Sequence, residues 1–159
     1  MLNLILNIDN QFLEILFMSM IPIGELRFSI PYFILKEQVI WQKVFIVSIL
    51  GNIFIGILVL YIIAPVMFFL KKNRYFYKII NYILNRTRSK SLIINNYKLM
   101  GLILFVGIPL PLTGVWTGAL ASYLFSMSRK RAMLGIVLGV LLSSFIVLFI
   151  TLAGKKVLF

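Results

Sequence analysis

No cysteine and no histidine occur among the 159 residues, and only four carboxylates are present: Asp9, Glu14, Glu25 and Glu37. The first two absences exclude disulfides, thiol nucleophiles, thiolate or imidazole metal sites and histidine acid–base chemistry. The shortage of acids weighs against a hydrolase or a hard-metal site, which need two or more converging carboxylates. No enzyme and no cofactor are expected. Charge as a whole is scarce: 13% of residues are charged and 62% are apolar, with a mean hydropathy of +1.05, against about 25% and 45–50% in ordinary globular domains. The composition predicts a polytopic membrane protein with a single membrane domain over residues 1–159.

The net charge of +12 resembles a nucleic-acid signal until its distribution is read. Lys71, Lys72, Arg74, Lys78, Arg86, Arg88, Lys90 and Lys98 fall between two apolar blocks, and Arg129, Lys130 and Arg131 between two others. That is the positive-inside pattern of membrane loops. The partner it predicts is the lipid bilayer, through anionic headgroups, and not nucleic acid. Met1 to Phe12 carries no Lys or Arg, so a cleaved signal peptide is not expected.

Four apolar blocks stand out, at about residues 12–35, 44–70, 99–127 and 133–153. The second and fourth are long enough to span a ~30 Å hydrocarbon core. The first is broken at Pro22-Ile23-Gly24 and the third at Pro109-Leu110-Pro111-Leu112-Thr113-Gly114. If all four blocks crossed, loops 71–98 and 128–132 would lie on opposite sides, against the positive-inside rule. If blocks one and three dip in and return, both loops are cytoplasmic. The expected fold is therefore an all-α integral membrane protein of the inner (cytoplasmic) membrane, multi-pass, with blocks one and three as re-entrant helical hairpins.

The chain also repeats itself. Ile21-Pro22-Ile23-Gly24 resembles Ile108-Pro109-Leu110-Pro111, and each leads through a polar link to a span carrying Gly51 or Gly139. A re-entrant hairpin plus one span crosses an odd number of times, so two such units in tandem have inverted topology. This is an arrangement of secondary transporters, whose broken helices meet near the midplane. Repeat 1 covers about 12–70 and repeat 2 about 99–153. Between them, 71–98 is a basic link. Its residues Phe76, Ile79, Ile80, Ile83 and Leu84 have the spacing of an interfacial amphipathic helix.

The chemistry concentrates at the breaks. Glu25 and Arg27 lie deep in the first apolar block, where each charge costs about 2.5–3.5 kcal/mol on insertion scales and marks a functional site by default. Two positions apart on a helix, they point to different faces. One reading gives Arg27 to an anionic substrate group and makes Glu25 a proton-coupled or cation-coupled carboxylate. The other has both charges capping broken helix ends, with Arg27 bonding carbonyls of the opposite hairpin. The second break has no charge; its restarted helix offers free N–H groups suited to an anion, and Thr113 and Thr117 offer hydroxyls. Thr113 is equally an N-cap, and Trp116 a packing residue. The expected substrate-binding or coupling set is Glu25, Arg27, Pro22, Gly24, Pro109, Pro111, Thr113, Gly114 and Thr117. Small residues recur every fourth position at Gly114, Gly118 and Ser122, at Gly135, Gly139 and Ser143, and at Asn52 and Gly56, which reads as close helix packing. A chain this small encloses little alone, so a homodimer is expected.

The segments Pro22-Ile23-Gly24-Glu25-Leu26-Arg27-Phe28-Ser29-Ile30-Pro31, Gly51-Asn52 and Pro109-Leu110-Pro111-Leu112-Thr113-Gly114-Val115-Trp116-Thr117-Gly118 resemble, in order, the small multidrug export protein family. Phe28 stands where that family often has glycine. The family is distantly similar to the DedA/VTT superfamily of membrane proteins with re-entrant hairpins, linked to moving lipids or lipid phosphates. The resemblance implies export of small hydrophobic or anionic lipid-like compounds. No G-x-x-x-x-G-K-[ST] motif occurs, so an ion gradient is the expected energy source. A lipid-phosphate flippase is the alternative within this class, and a non-transporting membrane scaffold the alternative outside it.

Overall fold

The computed structural model describes residues 2–70, 72, 77–78, 81–82, 91–110 and 113–158. The described elements are α1 (Leu2–Met20), α2 (Glu25–Pro31), a π-helical turn (Tyr32–Lys36), α3 (Trp41–Leu70), α4 (Ser91–Gly107), α5 (Val115–Leu124) and α6 (Arg129–Leu158). No strand occurs among the described residues. Helices α3 and α6 each have 30 residues, about 45 Å at 1.5 Å per residue. Among the described residues, Trp41–Leu70 and Arg129–Val157 are the two helices long and apolar enough to cross a membrane. Their outward side chains are large and apolar, with Phe54 59% and Phe149 76% exposed, a surface that water would disfavour and lipid would accept.

Each helix stops where its sequence says it must. Pro22 and Pro109 lack an N–H and cannot continue α1 or α4. Pro31 ends the regular turns of α2, and the ladder widens into the π-turn that follows it. In the two short links before the long helices, Gln38 and Ser126 adopt left-handed backbone (φ 52 for both). Ser126 lies within a closing turn in which Met127 N–H donates to the Ser122 carbonyl at 3.0 Å. Helix α4 begins at Ser91, inside the stretch read from sequence as a link to residue 98. The amphipathic positions Phe76, Ile79, Ile80, Ile83 and Leu84 lie outside the described residues.

The two long helices pack antiparallel. Phe45 meets Phe145 with ring centroids 5.3 Å apart, Gly56 faces Ile136, and the Arg129 guanidinium lies 5.7 Å over the Tyr61 ring. Helix α4 runs parallel to α6: Gly135 faces Leu99 and Leu102, Gly139 faces Ile103 and Val106, and Gly107 faces Leu142. Helix α5 then returns beside α4, and the Lys98 ammonium donates to the Phe125 carbonyl at 3.1 Å, joining the middle of α4 to the end of α5. In the first half, α2 packs on α1 and α3. Ser29 and Ser48 share a buried hydrogen bond of 2.8 Å between α2 and α3.

The halves correspond closely in position. Trp41 and Arg129 open the long helices, Leu70 and Leu158 close them, and Gln38 and Ser126 turn into them; each pair is 88 positions apart. Gly51 admits the Leu16 carbonyl and Ser19 side chain of α1, and Gly139, also 88 positions on, admits the Ile103 carbonyl and Val106 side chain of α4. A methyl group at either glycine would collide with these neighbours. The small residues Gly56, Gly118, Gly135 and Gly139 therefore face helices of this same chain. The core between the halves is built from Leu26, Ile30, Val44, Val115, Ile136 and Val140, all nearly inaccessible.

Candidate functional site

The described residues of the two breaks, 21–24 in the first and 108–110 with 113–114 in the second, lie against one another. A cleft of about 380 Å³ opens between them, lined by Pro22, Ile23, Gly24, Glu25, Arg27, Phe28, Pro109, Leu110, Thr113, Gly114, Trp116 and Thr117. Eight of the nine sequence-expected site residues are on this wall; the ninth, Pro111, lies outside the described residues. Residues 80–90 positions apart in the chain thus converge on one space.

Glu25 is held in left-handed backbone (φ 54), a conformation that costs a non-glycine residue about 1–2 kcal/mol. Its own N–H bonds the Ile21 carbonyl at 3.1 Å, closing the turn around Pro22. Gly24 permits the turn, since a Cβ there would collide with Phe28. The turned carboxylate leaves its own helix and accepts the Val115 N–H at 3.0 Å, at the first residue of α5. The Trp116 backbone and the Asn52 amide lie beside it. Helix α5 starts after Gly114, which has no side chain to cap it, although its N–H donates to Thr117 Oγ1 at 3.0 Å. Glu25 supplies the missing cap from the other half. A Cβ on Gly114 would occupy the space of the Glu25 carboxylate, so glycine is required here for close approach.

Arg27 treats the other side of the same break. Its Nη1 donates to the Leu110 carbonyl at 2.6 Å and to Thr113 Oγ1 at 3.1 Å, and its Nη2 donates to the Val106 carbonyl at 3.0 Å. Val106 is in the last turn of α4, where carbonyls lack helical donors. Thr113 Oγ1 also lies 3.0 Å from the Ile108 carbonyl and 2.9 Å from that of Leu110. Each charge therefore matches the dipole end it faces: carboxylate at the N-terminus of α5, guanidinium at the C-terminus of α4. The second half reciprocates with a neutral group. Trp116 Nε1 donates to the carbonyl of Met20, the last residue of α1, at 3.2 Å.

Of the two sequence readings of these charges, capping of the opposite half is the one the bonds realise. Trp116, read from sequence as packing, is a capping donor as well. From sequence, Asn52 is a small packing residue and part of the Gly51-Asn52 segment of the family resemblance. It is fully buried, and its Nδ2 donates to the Ser19 carbonyl at 3.3 Å. A lone amide in the middle of an apolar 30-residue helix is the signal that would have marked it. Thr117 serves the N-terminus of α5 rather than projecting a free hydroxyl. Among the described residues no group of three or more acidic side chains converges as a metal site.

Residues 25–146 match the family model described as "Putative small multi-drug export protein". The chain belongs to that family. No curated protein and no solved structure matches it. The matched region runs from Glu25 through the second break and most of α6.

Proposed function

We propose that this member of the small multi-drug export family is an ion-gradient-coupled membrane exporter built as two inverted units. In this reading α1–α2 and α4–α5 are re-entrant hairpins, and the cleft between their breaks is the substrate site. The 88-position correspondence of the halves, the antiparallel packing of α3 on α6, and the Lys98–Phe125 bond that ties α4 to the end of α5 support it. Both basic ends, Lys98 and Arg129–Arg131, then face the cytoplasm.

The observation that carries the reading is the crossed capping. Each half's broken helix is completed by side chains of the other half: Glu25 and Arg27 on α5 and α4, Trp116 on α1. Alternating access moves one repeat against the other around a fixed site. Such a movement must break and remake these bonds, so they are the gate. The walls suit a substrate with apolar bulk, because Ile23 is 96% exposed and Phe28, Leu110 and Trp116 line the same space. The test is efflux from proteoliposomes of a panel of lipophilic cations, lipophilic anions and labelled lipid phosphate, with a sodium or proton gradient imposed. Gradient-dependent movement of any member supports export. No movement of the whole panel under either gradient contradicts it.

One observation favours a second reading. Both terminal nitrogens of Arg27 and the Glu25 carboxylate are engaged by helix ends, as a non-transporting scaffold would require. Under that reading substitutions at Glu25 and Arg27 destroy folding before any activity. Folded, inserted variants that have lost efflux distinguish the exporter.

A further inference from the structure

Phe28 and Trp116 stand 88 positions apart, the spacing that relates the two long helices. They are therefore counterparts in the two halves, and both line the cleft between the breaks. Each ring is braced. Trp116 Nε1 is tied to the Met20 carbonyl at 3.2 Å, which restrains the indole. Phe28 lies so close over Gly24 that a Cβ there would collide with its own Cβ. One turn further along α2, Tyr32 stacks on Phe28, with centroids 5.8 Å apart and ring planes 24° from parallel. Tyr32 is held in turn by Phe33, edge to face at 5.2 Å, and by the Lys36 ammonium 5.1 Å over its ring. Phe28 is nevertheless 53% exposed. Its exposure differs from that of Phe54 and Phe149, which stand on the long helices. Phe28 is on the same wall as Glu25 and Arg27. An aromatic ring held in place and still open is a platform for a further ring.

We propose that the cleft takes flat polycyclic aromatic compounds, stacked on Phe28 and Trp116, and that Phe28 sets this preference. Stacking of a ring pair favours a ligand by about two- to tenfold beyond the apolar area it buries. Rings that are already held lose little freedom when the ligand arrives. The cleft of about 380 Å³ is near the small end of ligand sites, which run from about 300 to 1,000 Å³. That is room for a compact molecule of a few fused rings. Charge is not what these walls select. Glu25 and Arg27 are of opposite sign, and each is already engaged by a helix end. Tyr32 is not on the cleft wall; it acts through Phe28 and is a positioning residue.

This selectivity rests on the exporter reading for its purpose, but its test needs no gradient. The full-length chain in lipid nanodiscs is dialysed against proflavine, a flat aromatic cation. Empty nanodiscs measure partition into lipid. Saturable binding beyond that of empty nanodiscs is expected. Hexyltrimethylammonium, an aliphatic cation of the same charge, should not displace it at equal concentration. Phe28→Leu keeps the apolar bulk and loses the ring, and should weaken proflavine binding about fivefold. Phe28→Tyr keeps the ring and should bind as the native chain does. Tyr32→Leu should weaken binding about twofold, and Tyr32→Phe should restore it, since stacking needs only a ring. No saturable binding, displacement by the aliphatic cation, or native affinity in Phe28→Leu overturns the aromatic site. If Phe28→Leu does not fold, the displacement comparison on the native chain and the two Tyr32 variants decide alone. Ring-dependent binding without efflux of any compound leaves this site standing and removes the exporter. Gradient-driven efflux of aliphatic and aromatic compounds alike, unchanged by Phe28→Leu, does the reverse.

Discussion

Glu25 accepts the N–H of Val115 at 3.0 Å across 90 positions of sequence, and so caps a helix in the opposite half of its own chain. Removing that carboxylate leaves the first N–H groups of α5 buried without an acceptor. Glu25→Ala should lower stability by about 2–3 kcal/mol, combining a lost cap with unpaired donors. Glu25→Gln keeps an oxygen and loses the charge, and should cost about 1 kcal/mol. Unfolding in mixed micelles reads both, and equal losses would contradict the capping role.

Arg27 depends on geometry as well as charge. Its fork spans the Val106 and Leu110 carbonyls and Thr113 Oγ1. A lysine carries the charge at one point and cannot reproduce a planar fork. Arg27→Lys should therefore lose about 1–2 kcal/mol, in line with one or two charge-assisted bonds. A lysine variant as stable as the native chain would show that charge alone suffices.

Glycines sort by what they face. Gly139→Ala pushes a methyl group into Val106 and the Ile103 carbonyl, and Gly51→Ala does the same to Ser19 and the Leu16 carbonyl. Each should cost about 1–3 kcal/mol through overpacking. Gly101 is within α4 and meets nothing within 4 Å. Gly101→Ala should stabilise by up to about 1 kcal/mol through helix propensity. The same melting experiment compares the three, and a reversed order would contradict the packing described.

Much of the fold was legible in the apolar pattern. The two spans expected near 44–70 and 133–153 are the helices Trp41–Leu70 and Arg129–Leu158, and both breaks fall at the prolines. Proline and long apolar runs act locally, so sequence displays them. The start of α4 at Ser91 was hidden because Asn95, Asn96 and Lys98 made that turn look like the rest of the basic link. The matching of the halves in the long helices was legible only as a spacing from Pro22 to Gly51 and from Pro109 to Gly139. At the site, the residue set was readable but its wiring was not. That Arg27 reaches Val106 and Leu110 depends on how two breaks meet, and no local pattern encodes a bond across about 80 residues. The left-handed turn at Glu25 was equally hidden, since glutamate gives no sign of it. Asn52 was visible in the small-residue stripe and in the Gly51-Asn52 segment, but its bond to the Ser19 carbonyl was not.

Orientation in the membrane has its own check, made simple by the absence of native cysteine. Single cysteines at Lys98 and Ser128 should react with an impermeant thiol reagent from the cytoplasmic side, and one at Gln38 from the opposite side. Lys98 and Ser128 labelling from opposite sides would mean that α4 and α5 together cross the bilayer, and would end the re-entrant reading.

The most direct test of the gate is gradient-driven efflux by Glu25→Gln in proteoliposomes, with melting and insertion measured on the same preparation. Crossed capping as a gate predicts a variant that inserts and melts close to the native chain while efflux falls at least about tenfold, the factor that about 1.4 kcal/mol carries. Native efflux by a folded Glu25→Gln would contradict it.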